Sequence, residues 1–260
     1  MSARRYSPAF RTAAGILKPL LWTVTRRDWQ GAEHLPRSGG FVVASNHLSY
    51  ADPLTLAHFL YDNHCPPRFL GKEAVFRIPV LGRLITATGQ IPVYRESADA
   101  GKALSAAVRG VREGECVVIY PEATLTRDPD LWPMVGKTGA ARVALTTGCP
   151  VVPVAQWGPQ EILRPYGRRP KLLPPTTVHV LAGPPVDLSA YDGLPLDAVT
   201  LKAATDTILD AVADLLGRLR GRTPPEHRWD PREHDQPRIG DPTRGVRDST
   251  QDSTQEREAG

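Results

Sequence analysis

The strongest constraint on this chain is the regular alternation, after Gly31, of short β-branched runs with longer helix-patterned stretches. Phe41 to Ala44 reads as a buried strand, and Asp52 to Tyr61 as a helix opened near Pro53. Arg68 to Leu70 reads as a strand, Val80 to Ala87 as a helix and Gln90 to Val93 as extended chain. Ala98 to Glu113 carries Leu104, Val108 and Val111 on one helical side, and Cys116 to Ile119 is a β-rich run. Thr138 to Thr147 follows as a helix, Val151 to Val154 and Thr177 to Leu181 as strands. Leu196 to Leu219 is a long helix with Leu201, Ala204, Ile208, Ala211, Val212, Leu215 and Leu219 at core spacing. Strands separated by helices predict an α/β fold: a single mixed, largely parallel sheet flanked by helices. In such sheets ligands sit beyond the carboxyl ends of the strands, so the residues just after each strand carry the functional signal.

Composition removes several alternatives. The three cysteines, Cys65, Cys116 and Cys149, form no CxxC, which excludes a disulfide scaffold or a cysteine zinc site as the organising principle. No stretch approaches the ~18 apolar residues of a membrane span. The opening residues mimic a signal peptide, but Lys18 and Pro19 interrupt the apolar segment and no small-residue cleavage site follows, so it is expected in the mature protein. From about Arg222, aliphatic residues give way to Pro, Asp, Arg, Ser and Thr, and 222–260 is expected to be a disordered tail.

Charge is concentrated at the start. Residues 1–27 hold six basic side chains (Arg4, Arg5, Arg11, Lys18, Arg26, Arg27) and no acidic one. On a helical wheel Phe10, Ala13, Ala14, Ile16, Leu17, Leu20, Leu21 and Val24 fall within one arc of about 160°. Arg11 and Lys18 edge the opposite side. That layout suits a helix lying in an anionic bilayer interface. Pro19 predicts two short helices or a kink, so 1–28 is expected to be an amphipathic membrane-associating helix pair. Nucleic acid is disfavoured as a partner, because no aromatic-rich basic pattern or helix-turn-helix signal accompanies the charge.

The strand at Phe41–Ala44 runs directly into Ser45-Asn46-His47-Leu48-Ser49-Tyr50-Ala51-Asp52. On one continuous helix His47 and Asp52 would be separated by about 140°. They meet only if His47 lies in the turn before the helix and Asp52 at its start. The carboxylate would then fix the imidazole tautomer and leave the other nitrogen as a base. Alone, this HxxxxD spacing is weak, since an Asp at a helix start ordinarily caps it. Other strand ends add to it: Glu122 follows Cys116–Ile119, and Arg95 follows Gln90–Val93, where a guanidinium suits a phosphate. Lys72 and Lys137 also follow strand or loop segments and suit anions.

Taken together, Asn46-His47-x4-Asp52, Gly89-x-Ile91-x3-Arg95, Tyr120-Pro121-Glu122-x-Thr124 and Val151-Val152-Pro153-Val154 resemble the glycerolipid acyltransferase family, most closely the 1-acylglycerol-3-phosphate (lysophosphatidic acid) acyltransferases. The blocks cover roughly 29–182, within a catalytic domain expected at 29–221; Lys72 to Pro79 and the run from Lys137 also resemble family segments. The resemblance implies transfer of a fatty acyl group from acyl-CoA or acyl-carrier protein to the free hydroxyl of 1-acyl-glycerol-3-phosphate. It implies His47 and Asp52 as the catalytic pair, and Arg95, Glu122, Thr124, Lys72 and Lys137 as acceptor or phosphate contacts. Asn46, Gly89 and Pro121 are implied as supports. No metal or organic cofactor is implied, and attachment is monotopic, on the cytoplasmic face of the cell membrane. Two departures stand out. Ala123 replaces the family's glycine and is expected to hold the backbone to negative φ, and Leu125 replaces an arginine associated with the acceptor's phosphate, with Arg127 two residues on. Rival readings are another lysolipid or glycerol 3-phosphate as acceptor, a metal-dependent phosphoesterase using His47, Asp52 and Glu122 as ligands, and a catalytically silent lipid-binding protein.

Overall fold

The run Phe41–Ser45 buries every one of its side chains, as the middle strand of a sheet covered on both sides must. The computed structural model describes residues 6–93 and 100–236. In chain order they form α1 (Pro8–Val24), β1 (Thr25–Gln30), β2 (Phe41–Ser45), α2 (Asp52–Asp62), β3 (Pro67–Lys72), α3 (Glu73–Phe76), α4 (Leu81–Ala87) and β4 (Ile91–Val93). There follow α5 (Ala100–Arg112), β5 (Cys116–Ile119), α6 (Gly139–Thr147), β6 (Val151–Trp157), α7 (Pro159–Ile162), β7 (Thr176–Ala182) and α8 (Ala198–Arg220). Among the described residues the strands make one seven-stranded sheet in the order β1-β7-β6-β2-β5-β3-β4. Neighbours pair in parallel except β6 and β7, so β1 and β7 run against the other five. The expected single mixed, largely parallel sheet is what the chain forms.

Alternation along β2 divides the core. Val42 and Ala44 face α5, α6 and α8 with Val117, Ile119 and Val151, whereas Phe41 and Val43 face Leu56, Phe59 and Leu60 of α2. Gly40 makes the tight entry to β2 possible, since a Cβ there would fall 1.8 Å from the Val111 carbonyl oxygen. The long α8 starts where Asp197 accepts the Thr200 N–H and ends at Gly221, with φ +61°. Because β2, β3, β5 and β6 are parallel, the segments leaving them emerge at one end of the sheet.

Three expectations are corrected. The amino-terminal helix pair is one helix, α1, which continues through Pro19. Lys18 does not point to solvent: its Nζ bonds Asp62 Oδ1 on α2 at 2.5 Å. The membrane segment expected to extend to residue 28 gives way at Thr25 to β1, which pairs with β7 from Thr25↔Thr176 to Gln30↔Leu181. The third concerns the tail. Residues 222–236, expected to be disordered, pack on the body: Arg228 bonds Asp206 and Asp210 on α8, and the Trp229 carbonyl accepts the Val135 N–H at 3.0 Å. The remainder, 237–260, lies outside the described residues. No helix among the described residues is long and apolar enough to cross a membrane.

Candidate active site

The turn between β2 and α2 is built around one carboxylate oxygen. Asp52, fully buried, is the first residue of α2. Instead of capping its own helix it reaches backward, and its Oδ2 accepts the backbone N–H groups of Leu48 at 2.6 Å and Ser49 at 2.8 Å. The same oxygen lies 2.9 Å from Nδ1 of His47. An ionised carboxylate only accepts, so Nδ1 carries the proton and Nε2 keeps its lone pair. The His47 side chain is 15% exposed, which leaves the ring reachable. The expected pair therefore meets, in the geometry of a base held by an acid.

The segment after β5 fixes the other sides of His47. Tyr120 stacks on the imidazole with ring centroids 4.1 Å apart and planes inclined by 17°. Burial, and then the charge of Asp52, hold the Tyr120 phenol well above its ordinary pKa, so it stays protonated. Glu122 is buried, and its Oε1 accepts the His47 N–H at 3.0 Å while its Oε2 accepts the Met134 N–H at 3.1 Å. Burial pushes its pKa up to about 8 against the opposing pull of those amide bonds. Thr126 completes the clamp by donating its N–H to the His47 carbonyl at 2.7 Å.

Both oxygens of Glu122, expected as an acceptor contact, are engaged by backbone N–H groups, one of them that of His47. These contacts also leave the third ligand of a phosphoesterase site occupied, and no group of three His, Cys, Asp or Glu among the described residues is placed to hold a metal ion. Ala123 has φ +59°, so the turn takes the left-handed conformation despite the replacement of glycine, against the expectation of negative φ. Leu125 is buried, as is Arg127.

Asn46 supports the site from below. Its side chain mimics a strand partner, donating to the Gln156 carbonyl at 3.0 Å and accepting the Gln156 N–H at 2.8 Å. The Gln156 side chain accepts from Thr55 of α2 at 2.8 Å, so β2, β6 and α2 are cross-braced beneath His47. Pro121 is buried and its carbonyl accepts the Lys137 N–H at 2.8 Å, which brings the start of α6 beside the turn. The Lys137 side chain itself is exposed, and Thr124 is half-buried. Lys72 closes β3 at the same end of the sheet with an exposed side chain. Gly89 is not at the site: it precedes β4, at the opposite strand ends, where φ +80° and the nearby Arg68 guanidinium explain its lack of a side chain. Arg95 lies outside the described residues. Sequence reasoning assigned no role to Gln156, Thr126 or Met134; their one signal is a polar or amide group buried next to a motif segment.

The pattern of donors also limits the chemistry. The N–H groups of His47, Leu48 and Ser49 are all committed, to Glu122 and Asp52, so none is free to stabilise an oxyanion.

Comparison with known proteins bears on the family and the fold. A family model described as acyltransferase matches residues 26–157. A 1-acyl-sn-glycerol-3-phosphate acyltransferase of Borreliella burgdorferi is 34% identical over 125 residues, 48% of each chain, so the match spans about half the length of that relative. One from Bacillus subtilis is 27% identical over 212 residues, 81% of this chain and 98% of its own. The solved structure of the 1-acyl-sn-glycerophosphate acyltransferase of Thermotoga maritima superposes with a TM-score of 0.60 at 23% identity, covering 85% of this chain and 84% of the other, which shows a shared fold. With the matched segment running from β1 through the HxxxxD turn and the Glu122 loop to the end of β6, the chain belongs to the acyltransferase family.

Proposed function

We propose that this protein transfers a fatty acyl group from an acyl thioester, acyl-CoA or acyl-carrier protein, to the free hydroxyl of 1-acyl-glycerol-3-phosphate, giving phosphatidic acid. The observation that carries the reading is the Asp52 oxygen that accepts the Nδ1–H of His47 and leaves Nε2 as a base on a ring that is still partly exposed. The thioester is already activated, so the protein's tasks are alignment and deprotonation. Nε2 takes the proton of the acceptor hydroxyl as its oxygen forms a bond to the thioester carbon. The resulting imidazolium is stabilised by Asp52. On collapse the carbon–sulfur bond breaks and Nε2 returns the proton to the departing thiolate. General base assistance of this kind is worth about 10²–10⁴-fold, with alignment adding more. Lys72, Lys137 and Arg95 are assigned to the acceptor phosphate. No step requires a metal or an organic cofactor.

The setting is an anionic membrane surface, on the cytoplasmic face. Supporting this, α1 leaves Ile16, Leu20 and Trp22 exposed, and α3, α4 and their link add Val75, Ile78, Val80, Leu81 and Leu84.

The test is thiol release from palmitoyl-CoA in membranes or detergent, with and without lysophosphatidate. Release that depends on the acceptor and disappears in a folded His47→Ala variant is expected. Robust turnover by that variant would refute the base assignment, and a panel with glycerol 3-phosphate and other lysolipids would expose a different acceptor.

A further inference from the structure

The exposed segment between α7 and β7 fits none of the roles above. From Leu163 to Pro175 it carries Arg164, Arg168, Arg169 and Lys171, all exposed, and no acidic residue. Directly after Lys171 come Leu172 and Leu173, both exposed, Leu173 at 73%. A single exposed leucine is ordinary, but an adjacent pair beside four cations is not explained by the fold.

Its position gives it meaning. The Lys171 N–H closes the segment onto the Ile162 carbonyl at 2.7 Å. Tyr166 donates to the Leu125 carbonyl at 3.2 Å and meets Tyr50 edge-on at 6.4 Å, so the segment is tied to the loop after β5 and to the turn carrying His47. It then enters β7 at Thr176, the register partner of Thr25, where α1 ends. The segment and α1 thus emerge at the same end and the same edge of the sheet. The turn before α2 and its first turn add Tyr50 and Leu54, also exposed. Exposed apolar side chains consequently run from Ile16, Leu20 and Trp22 past the catalytic turn to Leu172 and Leu173.

We propose that segment 163–175 is a second membrane contact: Leu172 and Leu173 enter the acyl region of an anionic bilayer while Arg164, Arg168, Arg169 and Lys171 sit at the level of its phosphates. The proposal rests on the membrane setting assigned to α1, and extends it to a surface tied to the turn that carries His47. Two contacts at this end of the sheet would hold the His47 turn against the lipid surface, where a lysolipid hydroxyl lies, which a single helix would leave free to tilt. An acidic protein would satisfy the cations but leave the adjacent leucines without a role, so the lipid surface is the better fit.

The test is co-sedimentation of the full chain with phosphatidylcholine vesicles, with or without phosphatidylglycerol. Each basic side chain near an anionic surface contributes about fivefold to partitioning. Arg168→Glu/Arg169→Glu is therefore expected to weaken binding to the anionic vesicles by about tenfold or more, and most at low salt. Leu172→Ser/Leu173→Ser is expected to weaken it at every salt concentration. Both should melt like the parent and leave acyl transfer to a short-chain, water-soluble acceptor unchanged. If both bind vesicles as the parent does while Ile16→Ser/Leu20→Ser releases the protein, the second contact is wrong and the α1 setting stands. If the parent itself binds neither vesicle, the membrane setting falls and this inference with it. Loss of turnover only with an acyl-carrier-protein donor, with vesicle binding intact, would overturn the lipid assignment in favour of an acidic protein.

Discussion

Glu122 grips the peptide of His47: its Oε1 accepts the His47 N–H at 3.0 Å while its other oxygen accepts the Met134 N–H at 3.1 Å. A carboxyl group, ionised or protonated, has lone pairs on both oxygens and can accept from both sides, but a glutamine amide cannot, because its nitrogen would confront one of the two N–H donors. Glu122→Gln is therefore expected to lose about 1–3 kcal/mol of stability, the cost of an unsatisfied buried donor. It should lower kcat more than it raises the KM for the acceptor if its part is to hold the base. Urea unfolding with steady-state kinetics measures both, and a change confined to the acceptor KM would return Glu122 to the binding site.

The same carboxyl carries a pH signature. Burial raises its pKa in the folded state to about 8, above the ordinary 4.5 of the unfolded chain. Between those values the folded state retains a proton that the unfolded state has released. Its stabilising contribution is thus full below the lower value and is lost as pH rises through the upper one. The parent's stability relative to Glu122→Gln should therefore fall between about pH 5 and pH 8. Paired urea midpoints across that range check this, and a constant difference would mean a carboxylate ionised throughout.

Asp52→Asn should be the most damaging near-isosteric change. One oxygen now serves Leu48, Ser49 and His47 together; an amide that keeps its oxygen there brings no charge to stabilise the imidazolium, and one that turns its nitrogen to the ring no longer holds the proton on Nδ1. By analogy with the orienting aspartate of serine-protease triads, kcat should drop by about 10³–10⁴. Near-parental circular dichroism with near-parental turnover would show that the tautomer is set elsewhere.

At the turn, Ala123 sits at φ +59°, a conformation that costs a residue with a Cβ about 1–2 kcal/mol. Ala123→Gly removes that strain and gives back part of it as unfolded-chain entropy, for a net gain of up to about 1 kcal/mol. Melting curves should shift upward with kcat within about threefold, because the Tyr120–His47 stack depends on ring packing and not on this residue. A lower melting temperature would place a specific contact on the alanine methyl.

How far the sequence could be read follows from where the signal is local. Cys116–Ile119 is delimited correctly because four apolar residues are buried on both faces between turn residues. β1 was missed because it is an edge strand whose Thr-Arg-Arg-Asp-Trp-Gln sequence buries little and alternates poorly. β6 runs past Val154 because Gln156, polar by type, is buried by its pairing with Asn46, 110 residues away. Spacing brought His47 and Asp52 together; it could not say which atoms the Glu122 carboxylate would meet, since that depends on the fold placing the loop after β5 against the turn after β2. Lys18 falls on the polar side of a helical wheel, and only the packing of α1 on α2 gives it Asp62 as a partner.

The docking of α1 also contains a proton-sensitive contact. Trp22 Nε1–H donates to Nε2 of His58 on α2 at 3.1 Å, which requires an unprotonated acceptor. Around this ring stand Asp62 Oδ2 at 3.7 Å, Lys18, itself bonded to Asp62, Arg27 and the edge-on ring of Trp29. Burial dominates and lowers the His58 pKa from 6.5 to about 4, with Asp62 opposing and the two cations assisting. A base with a depressed folded pKa favours the docked state above its unfolded value, and that contribution falls away as pH drops through the window between the two. Amide exchange in α1 should accordingly accelerate as pH falls from about 6.5 toward 4, after correction for intrinsic exchange, while the sheet stays protected. His58→Gln keeps an acceptor for Trp22 without a titrating ring and should flatten that dependence. The same acid-induced loosening in the glutamine variant would show that the His58–Trp22 contact is not its source.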